Sequence, residues 1–241
     1  MKKIKLFCFP HAGGSATSYY RWNPLLKDVD VIPVELAGRG SRTGEAFYEN
    51  FFDMVEDIYS MVKGKIDGGP YAFFGHSMGS WLGYELAHKL IQNGYPSPSH
   101  LILSARRAPH CEYEIERSYG SLSRDELIEK VLSLGGTPPE LFEDEQLLNI
   151  FLTIIERDFK VISDYTYLKK GNVLDCGITV IAGKQDTHVS TKDLLAWKRH
   201  TTGPFRVLTL GGGHFYLSEN EEALLNILRE ILTSKDYLTI K

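Results

Sequence analysis

The sequence predicts an α/β fold, with a mostly parallel sheet, helices on both faces and a helical insertion. Three observations carry this reading. Short apolar runs rich in aromatic and β-branched residues recur along the chain, and most are near-continuous rather than alternating, as strands covered on both faces require. Helical patterns lie between them, and strands alternating with helices close into a parallel sheet through right-handed crossovers. One connection, roughly 70 residues between Ala105 and Ile178, is far longer than a simple crossover needs.

The expected strands are IKLFCF (4–9), VDVIPVEL (29–36), YAFF (71–74), HLILSA (100–105), ITVIAG (178–183) and FRVLTL (205–210). A helical stripe runs from Phe47 to Val62 through Phe51, Met54, Ile58 and Met61, three or four residues apart. A second follows Ser77 through Leu82, Leu86 and Leu90 and stops at Gly94, a residue suited to a C-terminal cap. Inside the long connection, SRDE (123–126) reads as a capping box in which Ser123 and Glu126 satisfy each other's backbone donors, ahead of Leu127, Ile128, Val131 and Leu132. GGTPPE (135–140) breaks that helix, and another pattern runs from Glu143 to Tyr167 with Leu147, Ile150, Phe151, Ile154, Ile155 and Phe159. This apolar insertion, residues 108–170, is a lid candidate. Leu224, Leu225, Leu228 and Ile231 mark a last helix, and with no repeat or linker in view residues 1–241 read as one domain.

Composition excludes several functions. With 27 basic against 31 acidic residues the net charge is -4, no electrostatic footprint for nucleic acid or an anionic membrane. Cys8, Cys111 and Cys176 are odd in number and lack paired spacing, so neither a disulfide framework nor a zinc site is expected. The opening MKKIKLFCFP is interrupted by Lys5 and Pro10 and is too short for a signal-peptide core, and no apolar run reaches membrane-spanning length. A cytoplasmic monomer without metal or organic cofactor is the expectation.

Gly75-His76-Ser77-Met78-Gly79 matches G-x-S-x-G, the turn from strand into helix that holds a nucleophilic serine. The competing reading is a glycine-rich bend with an idle serine; the strand before it and the amphipathic helix after it favour the elbow. A serine hydroxyl needs a base, and the base an orienting group. His214 in GGGHF (211–215) follows the last strand at its C-terminal end, where parallel sheets gather their active-site loops. His76, adjacent to Ser77, points to the opposite face of an extended strand. His88, His100 and His200 read as surface or packing residues, while the loop residues His110 and His188 stay as alternatives. Asp186 lies just beyond ITVIAG, so the order Ser77, Asp186, His214 is that of the α/β-hydrolase fold. Backbone N–H groups of Met78 and of Ala12, in FPHAGGSA (9–16), are the expected oxyanion donors. His11 reads either as a polar pocket residue or as a turn stabiliser.

With these residues in place, FCFPHAGGSA, VELAGRGSR, FFGHSMGSWLGYELA, SARRAP, LGGTPPELFED, ERDF, GKQD and GGGHFYL, in this order, resemble a type II thioesterase. The resemblance spans nearly the whole chain. It implies hydrolysis of acyl thioesters on the phosphopantetheine arm of an acyl or peptidyl carrier protein, removing stalled or misloaded groups in nonribosomal peptide and polyketide synthesis. Carrier proteins of that kind are usually acidic, so Arg39, Arg42, Arg106 and Arg107, in loops after expected strands, are candidate contacts to the partner or the arm's phosphate. The alternatives are a broad esterase or acyl-CoA hydrolase and, in another class, a non-catalytic hydrolase-fold binding protein.

Overall fold

Six parallel strands form one sheet in the order β2-β1-β3-β4-β5-β6 in a computed structural model that describes residues 2–111, 114–137 and 139–233. The strands are β1 (Ile4–Phe9), β2 (Val29–Pro33), β3 (Tyr71–His76), β4 (His100–Ser104), β5 (Gly177–Gly183) and β6 (Phe205–Leu210). Their near-continuous apolar character follows from packing on both faces. Phe7, Phe73, Leu101 and Val180 enter one core with Met54, Ile58 and Leu82, whereas Leu6, Phe74, Ile102 and Ile181 enter a second with Trp22, Leu224 and Leu228. Successive side chains alternate between these cores, as the period of two demands.

The helices are α1 (Thr17–Tyr20), α2 (Phe51–Lys63), α3 (Met78–Gln92), α4 (Glu114–Arg117), α5 (Arg124–Leu134), α6 (Glu145–Asp164), α7 (Thr191–Leu195), α8 (Tyr216–Glu219) and α9 (Glu221–Thr233). Two boundaries and one buried face depart from the sequence expectation. The second strand stops at Pro33 rather than Leu36, because proline has no N–H to continue a ladder. The first stripe becomes helical only at Phe51: Asn50 accepts the Phe52 and Asp53 N–H groups, and Phe47 lies outside, packed beside Gly38. In α6, Leu147 and Ile150 are 51% and 58% exposed, and the buried stripe is instead Leu152, Ile155, Phe159 and Ile162.

Capping signals survive intact. Ser123 and Glu126 form the expected box at the start of α5. Past α3, Gly94 takes φ +81°, with Tyr95 N–H donating to Leu90 O and Gly94 N–H to Ile91 O, a Schellman ending. No helix among the described residues is long and apolar enough to cross a membrane. All three cysteines are free, with Cys8 and Cys176 buried.

His88, His100 and His200 are packing residues, each at most 7% exposed. Burial, with Arg206 and Lys170 nearby, holds His100 at about 3 and His88 at about 4. An unfolded chain protonates these rings near 6.5. Below that pH it therefore binds protons the folded chain refuses, and stability falls as pH drops from about 6.5 toward 4, by at most ~1.4 kcal/mol per pH unit per ring. Above 6.5 these groups add no pH dependence. Urea midpoints should be level between pH 7 and 8 and fall from pH 6 to 4.5; a midpoint constant down to 4.5 contradicts this account.

Candidate active site

The turn from β3 into α3 is built on sterics. Ser77 sits at φ 52°, ψ −116°, a conformation that non-glycine residues rarely adopt. A Cβ on Gly75 would lie 2.0 Å from Gly79 O, and one on Gly79 would lie 2.2 Å from Phe9 O of β1, so both positions require glycine. Hydrogen bonds from β4 clamp the turn. Ser77 N–H donates to Ser104 O at 2.8 Å. The fully buried Ser80 hydroxyl accepts from Ser104 N–H at 3.0 Å and donates to Gly75 O at 2.8 Å. Sequence reasoning misses Ser80, whose only signal is a polar residue on a buried helix face.

The loop after β6 brings His214 to this turn. Its Nε2 is 3.1 Å from Ser77 Oγ, and its Nδ1 is 2.9 Å from Asp186 Oδ2. The Asp186 side chain is fully buried, and its second oxygen accepts the His188 N–H at 2.8 Å. A carboxylate only accepts, so in the neutral ring Nδ1 carries the proton and Nε2 is left to accept from the serine hydroxyl. Reciprocal bonds join the two loops: Gly212 N–H donates to Gln185 Oε1 at 2.6 Å, and Gln185 N–H to Gly212 O at 2.9 Å.

The remaining histidines lie outside the Asp186–His214–Ser77 chain of hydrogen bonds. His76 turns to Ser104 Oγ, 2.8 Å from its Nδ1. His110 and Tyr84 flank His200, with N···N and O···N separations of 2.7 and 2.8 Å. His188 stands beside His214 with ring centroids 5.5 Å apart, and its backbone serves Asp186. His11 lies in the cavity wall, edge-on to Phe215 at 4.7 Å. Burial, with His214 and Arg39 nearby, depresses it to about 3, so it is a neutral wall residue.

Met78 is the first residue of α3, which places its backbone N–H at the positive end of a 15-residue helix. Ala12 and Ser77 line the same cavity. An unforeseen residue braces the Ala12 loop: Asp158 of α6 accepts the Gly13 N–H at 2.7 Å and pairs with Arg39 through two bonds of 2.5 and 2.6 Å, both side chains 2% exposed.

All four candidate arginines are held in ion pairs, and Arg106 lines the cavity that contains Ser77. Arg39 is buried against Asp158, and Arg42 pairs with Glu45 and Asp57. Glu116 takes Arg106 at 2.9 Å and Arg107 at 3.1 Å, and Arg107 also donates to His188 O at 2.6 Å. Arg106 stacks over Trp81, 3.5 Å from the ring centroid, while the Trp81 and Trp197 indoles hold the Arg107 and Arg106 carbonyls. Arg106 and Arg107 are 6% and 3% exposed, so neither presents a surface charge to an acidic partner. Position after a strand suggests exposure, but the insertion covers this end of the sheet.

Ser77 and His214 open on a cavity of about 600 Å³. Val131 and Leu134 of α5 and Phe151, Ile155, Phe159 and Ile162 of α6 form an apolar wall. The arrangement can attack an acyl carbon while sheltering its chain from water.

Residues 4–232 match the family model of the thioesterase domain. The gramicidin S biosynthesis protein GrsT of Aneurinibacillus migulanus is 34% identical over 227 residues, covering 94% of this chain and 88% of that protein. Among solved structures, ClbQ from the colibactin NRPS/PKS pathway superposes with a TM-score of 0.89 at 31% identity, covering 95% and 96% of the two chains. The type II thioesterase BorB from the borrelidin biosynthetic cluster gives 0.84 at 35%, covering 95% and 92%. A six-stranded parallel sheet, a serine–histidine pair at its C-terminal edge and a match over nearly the full length agree: the chain belongs to the thioesterase family, serine hydrolases of the α/β-hydrolase fold.

Proposed function

We propose that this thioesterase hydrolyses acyl groups from the phosphopantetheine arm of carrier proteins and clears stalled or misloaded groups during nonribosomal peptide or polyketide synthesis. The observation that carries the reading is the hydrogen-bonded chain from Asp186 through His214 to Ser77, opening on an apolar-walled cavity. Relatives bearing such pathway names support the carrier as partner.

In this reading Ser77 Oγ attacks the thioester carbonyl carbon as its proton passes to His214 Nε2. The Met78 and Ala12 N–H groups hold the developing oxyanion. Collapse breaks the C–S bond, and the departing thiolate takes the proton from His214, leaving an acyl ester on Ser77. Water then attacks that ester, gives a proton to His214, and the acid departs as Ser77 Oγ is reprotonated. Asp186 stabilises the imidazolium throughout. No step calls on a metal or an organic cofactor.

Intact-protein mass spectrometry of carriers loaded with correct and incorrect acyl groups tests the assignment. Faster deacylation of the misloaded forms is expected. Faster turnover of free esters or acyl-CoA than of any acyl carrier would instead identify a broad esterase.

A further inference from the structure

The cavity beside Ser77 has two ends of opposite character. Within the insertion its wall is largely apolar: Val131, Ile155, Phe159 and Ile162 are all buried, and the charges there, Arg106 and Glu116, answer each other. The other end is open, lined by Thr17, Ser18, Arg21, Ser218 and Glu221, of which the first four are exposed. An acyl chain belongs at the first end, where its burial removes apolar surface from water. A phosphopantetheine arm, with two amides, hydroxyl and phosphate, suits the second.

At that open end one cation is held in place. Arg21 Nε lies 2.6 Å from Glu221 Oε1, an oxygen that also accepts the buried Trp22 indole N–H at 2.9 Å. This anchors the guanidinium through Nε, while its two terminal nitrogens make no hydrogen bond among the described residues, on a side chain 63% exposed. An arginine so held offers a planar pair of donors to a phosphate, and one oxygen of the carboxylate beside it already accepts the Trp22 indole N–H.

We propose that Arg21, positioned by Glu221, binds the phosphate of the phosphopantetheine arm at the open end of the cavity. This rests on the carrier-thioester reading above and names a contact within it. The test compares kcat/KM for two small thioesters with the same acyl group, acyl-phosphopantetheine and acyl-pantetheine, using the intact protein.

The parent should prefer the phosphorylated substrate about five- to tenfold, chiefly through KM, and the preference should shrink as salt rises. Arg21→Gln should bring the ratio to about one, and Arg21→Lys should keep part of it, because lysine supplies the charge without the fork. Equal kcat/KM values in the parent, or a preference that survives Arg21→Gln, overturn the proposal and leave the function reading standing. If neither thioester turns over while the same preparation cleaves a p-nitrophenyl ester, the carrier-thioester reading fails and the proposal with it.

Discussion

Ser77→Ala is expected to lower kcat for acyl-carrier hydrolysis by about 10⁴- to 10⁶-fold while the protein stays folded. Alanine carries the same Cβ as serine, so the substitution brings no new clash at φ 52°. What disappears is the oxygen 3.1 Å from His214 Nε2, and with it the acyl-enzyme route. A residual rate remains from the backbone donors and from substrate positioning, which act whether or not the serine is present. His214→Ala should fall comparably, and the double substitution should be little worse than either, because the two groups work as a unit. Initial rates on a loaded carrier, with circular dichroism as the folding control, decide the matter. Turnover within tenfold of the parent would remove Ser77 from the mechanism.

Asp158→Ala should destabilise the protein by about 3–5 kcal/mol, because it strands the Arg39 guanidinium in a site 2% exposed to water. The Gly14 carbonyl, 3.2 Å from Arg39 Nη1, would remain as a hydrogen-bond acceptor but carries no compensating charge. Gly13 N–H would lose its acceptor as well, loosening the link between α6 and the Ala12 loop. Replacing both partners with apolar residues, Arg39→Met with Asp158→Leu, should recover most of the loss, since the penalty is an unpaired buried charge rather than a missing attraction. Urea unfolding of the parent and the two variants checks this. A single-variant loss below about 1 kcal/mol would mean that water reaches the guanidinium after all.

Ser77 and Asp158 differ in how legible they are along the chain. Ser77 announces itself through the glycines two positions either side, and its strand and helix are visible in local patterns. Asp186 and His214 are recognisable because each follows a strand of a parallel sheet. Asp158 gives only a carboxylate on an otherwise apolar helix face, and its partner is 119 residues away. Arg106 and Arg107 mislead for a different reason: Glu116 is only ten residues beyond Arg106, but nothing near SARRAP in sequence shows that the chain there folds back to pair with and bury both.

The amino-acid sequence by itself determined the strands, the elbow and the order of serine, acid and histidine, because these depend on side-chain periodicity and on short-range steric limits. Only the tertiary structure decided which charges are buried in pairs, what braces the Ala12 loop, and that the cavity has one apolar and one open end. Those features arise from contacts between distant segments, where the gain comes from desolvation and close approach and leaves no periodic trace along the chain.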